Sequence, residues 1–157
     1  MSEISWITEF LAIGPRPEIE KLKDAGVQCI IDMNADPREA DESKREGIEY
    51  YSCRLTDESV NEDWLMGLDR ISRIIRESKE SNRRVYLHCT HGIGRSPTAA
   101  IAFLLDEGYS MDNAVDLVTT KHPPTWSPGN PVVKYQQILD NYRHLKSKRR
   151  KSSISKV

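Results

Sequence analysis

Residues Val85–Thr98 read VYLHCTHGIGRSPT. An apolar run stops at His88 and Cys89, two glycines follow at 92 and 94, and Arg95, Ser96 and Pro97 close the stretch. An apolar run, a glycine-bearing turn and then a proline-started, alanine-rich segment predict strand, tight loop and helix in that order.

That order suits anion chemistry. The helix after Arg95 points its first backbone N–H groups and its positive dipole end back into the loop. A tight turn through Thr90, His91, Gly92, Ile93 and Gly94 aims further N–H groups inward as an anion nest. Gly92 and Gly94 supply the backbone angles such a turn needs. The nest fits one phosphate, and Arg95 can close it with a planar, bidentate grip on two phosphate oxygens. Cys89 stands at the mouth of the same nest, where positive surroundings favour thiolate over thiol and make the sulfur a nucleophile. Ser96 follows the arginine, and its hydroxyl can donate to that sulfur. A cysteine at a strand end is commonly just a small buried hydrophobe. It is the combination H-C-x-x-G-x-x-R-S-P that points to chemistry.

The two histidines around the thiol also raise a metal site. Successive strand residues point to opposite faces, and no second Cys/His pair stands at metal-site spacing, so no metal and no cofactor are expected. His122 and His144 read as surface residues.

The flanking sequence supplies the rest of the domain. Segment 10–14 reads as a short strand, and 17–26 as a helix with Pro17 in its first turn and Gly26 at its end. Residues 27–33, VQCIIDM, read as a strand covered on both faces. The polar run 34–47 reads as a loop with room for a helical turn, and 48–55 as the next strand. In 61–81 the apolar positions Trp64, Leu65, Leu68, Ile71, Ile74 and Ile75 recur at three and four, which predicts a long helix. A strand at 83–89 and helices at 96–108, 111–122 and 131–147 complete the chain. Strands alternating with helices predict a single α/β domain over residues 1–146, its central sheet mixed, mostly parallel and flanked by helices. Residues 147–157, basic and serine-rich, read as a flexible tail.

Bulk properties set limits. The chain has 157 residues, enough for one domain with a real core, and a formal net charge of −1, so it is no general polyanion binder. No apolar run approaches the ~18 residues of a membrane span. The opening MSEISWITEF has an early acid and no apolar core of signal length, so no secretory leader is expected. Three widely spaced cysteines, Cys29, Cys53 and Cys89, form no disulfide framework and suit the reducing cytoplasm.

His88, Cys89, Gly92, Arg95 and Ser96 resemble the signature loop of the cysteine-based protein tyrosine phosphatase superfamily. GRSPT running into an alanine-rich helix resembles its dual-specificity branch, and residues 10–34 are similar to that branch's opening strand, helix and strand. The resemblance implies metal-free hydrolysis of phosphorylated proteins through a cysteinyl-phosphate intermediate. Cys89 would be the nucleophile, Arg95 the phosphate grip and His88 a supporting residue. It also implies an aspartate that protonates the leaving oxygen. Asp57, 32 residues before Cys89 and just after a predicted strand, fits that role. Asp63 is its rival, but it falls in the first turn of a helix, where an acid ordinarily stabilises the end.

Within the same superfamily, HCTHG is also found in RNA 5′-triphosphatases, and GPRP is similar to glucan phosphatases. Phosphoinositide phosphatases tend to carry lysines in the loop, where this chain has His91 and Ile93. The short chain shows no pocket-deepening tyrosine segment, which suits phosphoserine and phosphothreonine beside phosphotyrosine. Asn130, Gln136 and Gln137 stand near the position of the family's water-orienting glutamine, which is missing in its tyrosine-phosphatase form. Another class of reading is a pseudophosphatase that binds phosphorylated partners without turnover; intact Cys89, Arg95 and Asp57 argue against it. A monomer acting on phosphorylated protein, away from membranes and without nucleic acid, is the expectation.

Overall fold

A computed structural model describes residues 4–55, 62–90, 92, 94–126 and 132–155. Among these residues five strands form one sheet: β1 (Ser5–Trp6), β2 (Leu11–Gly14), β3 (Cys29–Asp32), β4 (Glu49–Ser52) and β5 (Val85–His88), in the order β1-β2-β5-β3-β4. β2, β5, β3 and β4 run parallel, and β1 joins β2 antiparallel. The sheet is therefore mixed and mostly parallel. β1 was not anticipated: a two-residue strand leaves no measurable alternation in sequence.

The central strands obey the period of two. Leu11, Ile13, Ile31, Val85 and Leu87 join one core cluster, while Ala12, Ile30 and Tyr86 join the other. Both faces are covered, so the strands read as near-continuous apolar runs. The larger cluster takes in α3 (Glu62–Glu80), α4 (Arg95–Asp106), α5 (Met111–Lys121) and α6 (Val132–Ser155). Trp64, Leu68, Ile71 and Ile75 of α3 are its buried stripe, as their spacing predicted. The opposite face carries Ile19 and Leu22 of α1 (Ile19–Asp24), with α2 (Pro37–Arg45) packed beside β4.

One segment differs from its sequence reading. Run 34–47 holds a full helix, α2. Asp36 caps it, its side chain accepting from the Arg38 amide at 3.0 Å, and Pro37 occupies the first position. Its helical signal is an end signature rather than an apolar stripe, because its buried side chains are Glu39 and Ser43. At the C-terminal end, α6 runs as helix through Ser155. It contains no proline or glycine after residue 131, so nothing local interrupts the hydrogen-bond ladder.

The register fixes where a site can form. Gly14 and Asp32 both pair with His88, so β2, β5 and β3 end at one level. The loops after these strands therefore emerge together. Crevices at the carboxyl ends of parallel strands are where open α/β sheets place ligands.

Candidate active site

Cys89 leaves the central strand at that level, 3% exposed, at the base of the loop leading to α4. Ser96 begins the second position of α4, is fully buried, and places its Oγ 3.5 Å from Cys89 Sγ. The loop between them folds back because Gly92 takes φ +70°. A Cβ there would stand 2.5 Å from the Gly14 carbonyl carbon and 2.7 Å from Pro15 N, so the loop lies directly against the β2–α1 turn. Gly94 sits as closely against α6: a Cβ would approach the Tyr135 hydroxyl to 2.5 Å. Two glycines thus let the loop nest between backbone on one side and an aromatic ring on the other.

Arg95 opens α4. Its Nη1 donates to the Leu55 carbonyl at 2.7 Å and its Nη2 to Thr90 Oγ1 at 3.2 Å. Leu55 is the last described residue before the segment that contains Asp57. Thr90 Oγ1 in turn donates to Asn34 Oδ1 at 3.1 Å, and the Thr90 carbonyl accepts from the Arg16 amide at 3.2 Å. The loops after β2 and β3 therefore both border the loop at Thr90. Asp36 links them, its carboxylate 3.1 Å from the Arg16 guanidinium.

His88 faces the opposite side of the sheet from Cys89's neighbours in α4. It stacks with Tyr86 at 5.7 Å, its Nδ1 donates to the Cys89 carbonyl at 3.1 Å, and its Nε2 lies 2.5 Å from Glu39 Oε2. Asp32 is the third member, 3.6 Å from His88 Nε2. Burial alone would push its carboxyl up. Hydrogen bonds from Tyr50 Oη at 2.6 Å and from the amides of Asp36 and Asn34, with His88 nearby, hold it below its ordinary value instead. Burial and that same carboxylate raise the Tyr50 phenol. The ligand atoms of Asp32, Glu39 and His88 lie within 4.8 Å of one another, the spacing of a metal site. Three donors already take most of the acceptor sites on Asp32's two oxygens, so the trio reads as a hydrogen-bonded support behind Cys89.

The structure thus brings together Cys89, Thr90, Gly92, Gly94, Arg95 and Ser96, with His88 behind them. Asp57, His91 and Ile93 lie outside the described residues, as does Asn130. Asp63 sits in the first turn of α3, as its sequence reading had it. Gln136 and Gln137 are exposed on α6. Burial pushes the Cys29 thiol up to about 11 and also raises that of Cys53.

Sequence reading missed Tyr50, which reaches Asp32 from β4, and also Asp32, Asn34 and Glu39, which lie on the approach to the unread helix or within it. The Asp36–Pro37 start signal could have revealed it. It also misplaced His122. That residue is 4% exposed, not on the surface: it ends α5 beneath the loop, its Nε2 2.6 Å from the Gly92 carbonyl oxygen. A lone histidine before two prolines carries no periodic signal of burial.

Residues 10–153 match the family described as dual specificity phosphatase, catalytic domain, and the chain belongs to that family. It is 27% identical over 139 residues to the human protein phosphatase Slingshot homolog 2, covering 87% of this chain and 9% of that protein. It is 36% identical over 91 residues to the human dual specificity protein phosphatase 16, covering 57% of this chain and 13% of the relative. The chain thus spans about a tenth of the length of these relatives. Among solved structures, Tk-PTP in its active form superposes with a TM-score of 0.77 at 22% identity, covering 90% of this chain and 97% of that one.

Proposed function

We propose that this domain is a protein phosphatase that hydrolyses phosphotyrosine, phosphoserine and phosphothreonine through a cysteinyl-phosphate. The observation that carries the reading is the 3.5 Å approach of Cys89 Sγ to Ser96 Oγ inside a glycine loop closed by Arg95. The Cys89 thiolate attacks phosphorus while the P–O bond to the substrate breaks. Asp57 gives its proton to the leaving oxygen. Loop amides and Arg95 hold the equatorial oxygens, where positioning and electrostatics supply most of the acceleration. In the second step water attacks phosphorus and gives its proton to Asp57. The S–P bond breaks, and Ser96 donates a hydrogen bond to the departing sulfur.

His88, tied to Glu39, holds the carbonyl of the nucleophile's own residue and keeps Cys89 aimed into the loop. No residue in this scheme calls for a metal. Among the described residues no helix is long and apolar enough to cross a membrane. Free thiols at 29, 53 and 89 suit a cytoplasmic monomer whose partner is its phosphorylated substrate.

The test is phosphate release from a panel of phosphotyrosine and phosphothreonine peptides, phosphoinositides, phosphoglucan and 5′-triphosphorylated RNA. Release from both peptide classes, above the other three, is the expected result. Preference for RNA or glucan would replace the protein reading. Binding of phosphopeptide without any release would make the domain a pseudophosphatase.

A further inference from the structure

His122 joins two parts of the chain that are far apart in sequence. Its Nε2 is 2.6 Å from the Gly92 carbonyl oxygen, and its Nδ1 is 2.6 Å from Ser5 Oγ in β1. A carbonyl oxygen only accepts, so the hydrogen lies on Nε2 and is donated to Gly92. The histidine's own carbonyl accepts from Thr125 Oγ1 at 2.7 Å, which keeps the turn after α5 closed around it. One residue later, Trp126 Nε1 donates to Thr98 Oγ1 at 3.1 Å, and Thr98 Oγ1 donates to the Gly94 carbonyl at 2.7 Å. Both loop glycines therefore have their carbonyls held by hydrogen bonds that lead back to the segment 122–126.

An anion nest works only while amides face the anion and carbonyls face away. The C=O and N–H of one trans peptide unit point in opposite directions, so a half-turn of that unit exchanges a donor for an acceptor. Glycine is where such a turn meets least steric resistance. The residue that lets the loop close at Gly92 is thus also where the loop is easiest to turn inside out.

We infer that His122 is a positioning residue for the phosphate-binding loop: by holding the Gly92 carbonyl, with Ser5 fixing the ring from behind, it keeps the loop's donors turned toward the phosphate. Trp126 acts through Thr98 as the second tether, on Gly94. The inference rests on the phosphatase reading of the loop, and it adds a requirement outside the signature sequence. A merely structural histidine would be replaceable by any side chain that fills the same volume. A positioning histidine needs its N–H, which glutamine can supply at similar reach.

Tungstate serves as the probe. Its affinity is measured by titration calorimetry for the wild-type chain, His122→Ala, His122→Gln and Ser5→Ala, beside kcat and KM for p-nitrophenyl phosphate. His122→Ala should weaken tungstate on the order of 10–100-fold, the scale on which misplacement of a binding group is felt, and should raise KM while lowering kcat. His122→Gln should recover most of the loss, and Ser5→Ala should show a smaller loss of the same kind. If His122→Ala fails to fold, the glutamine and Ser5→Ala variants carry the test. Unchanged tungstate affinity in His122→Ala, or in Ser5→Ala where that variant must stand in, overturns the inference. So does a glutamine variant that binds as poorly as alanine. A wild-type chain that binds tungstate but releases no phosphate from any ester sinks the phosphatase reading alone. A wild-type chain that does not bind tungstate sinks both.

Discussion

Cys89 Sγ and Ser96 Oγ stand 3.5 Å apart, seven positions from each other along the chain. The pairing makes different predictions for the three thiols. Cys89→Ser should abolish turnover while leaving tungstate binding, because the nest survives without its nucleophile. Cys29→Ser and Cys53→Ser should keep most activity. Burial raises both of those thiols, so limited iodoacetamide at neutral pH, read by peptide mass, should label Cys89 first.

The two aspartates near the start of α3 separate by leaving group. Asp57→Asn should slow phosphoserine peptides by roughly 10²–10⁴-fold, the worth of general acid catalysis, and p-nitrophenyl phosphate far less, since p-nitrophenolate departs without a proton. It should also flatten the basic limb of the kcat/KM pH profile. Asp63→Asn should cost only about 0.3–1 kcal/mol of helix-end stability. Exchange of the two behaviours would make Asp63 the acid. Indifference to both would favour an aspartate-independent triphosphatase.

Gly92→Ala tests the close approach to the β2–α1 turn. The new Cβ meets Gly14 and Pro15 backbone at under 3 Å, and the φ of +70° disfavours any L side chain. A left-handed alanine alone costs roughly 1–2 kcal/mol. We expect a lower melting temperature in calorimetry together with loss of tungstate binding. Gly47→Ala makes the control: its φ is +73°, nothing lies within 4 Å of the added carbon, and only stability should fall.

Asp32 makes an acid-stability prediction. Its folded carboxyl is held below the ordinary value, so its contribution is present above the unfolded value of ~3.9 and is lost as pH falls through the folded one. Asp32→Asn should destabilise by roughly 1–3 kcal/mol at neutral pH, because buried donors lose their acceptor. The difference from wild type in urea midpoints should narrow as pH drops below ~4. A gap that persists unchanged in acid would mean that packing, not charge, explains the loss.

Chelation completes the set. Activity should survive excess EDTA, since Arg95 and the loop amides supply the charge that a cation supplies elsewhere. Loss restored by zinc would put a metal on Asp32, Glu39 and His88.

The reach of the sequence can be judged from particular residues. Period-two and period-3.6 patterns made β3, β5 and α3 legible, because burial on a regular element repeats along the chain. The order of residues from His88 to Ser96 made the loop legible, because that chemistry is local and its spacing is set by one turn. The order of strands was not local: only the assembled sheet sets Gly14 and Asp32 level with His88 and so brings three loops to one edge. Glu39 behind His88, Asn34 beside Thr90 and His122 under Gly92 are likewise contacts between elements far apart in the chain. A lone polar residue carries no periodic signal of its partner, so its role is decided by tertiary packing, where an unpaired buried group would be too costly to keep.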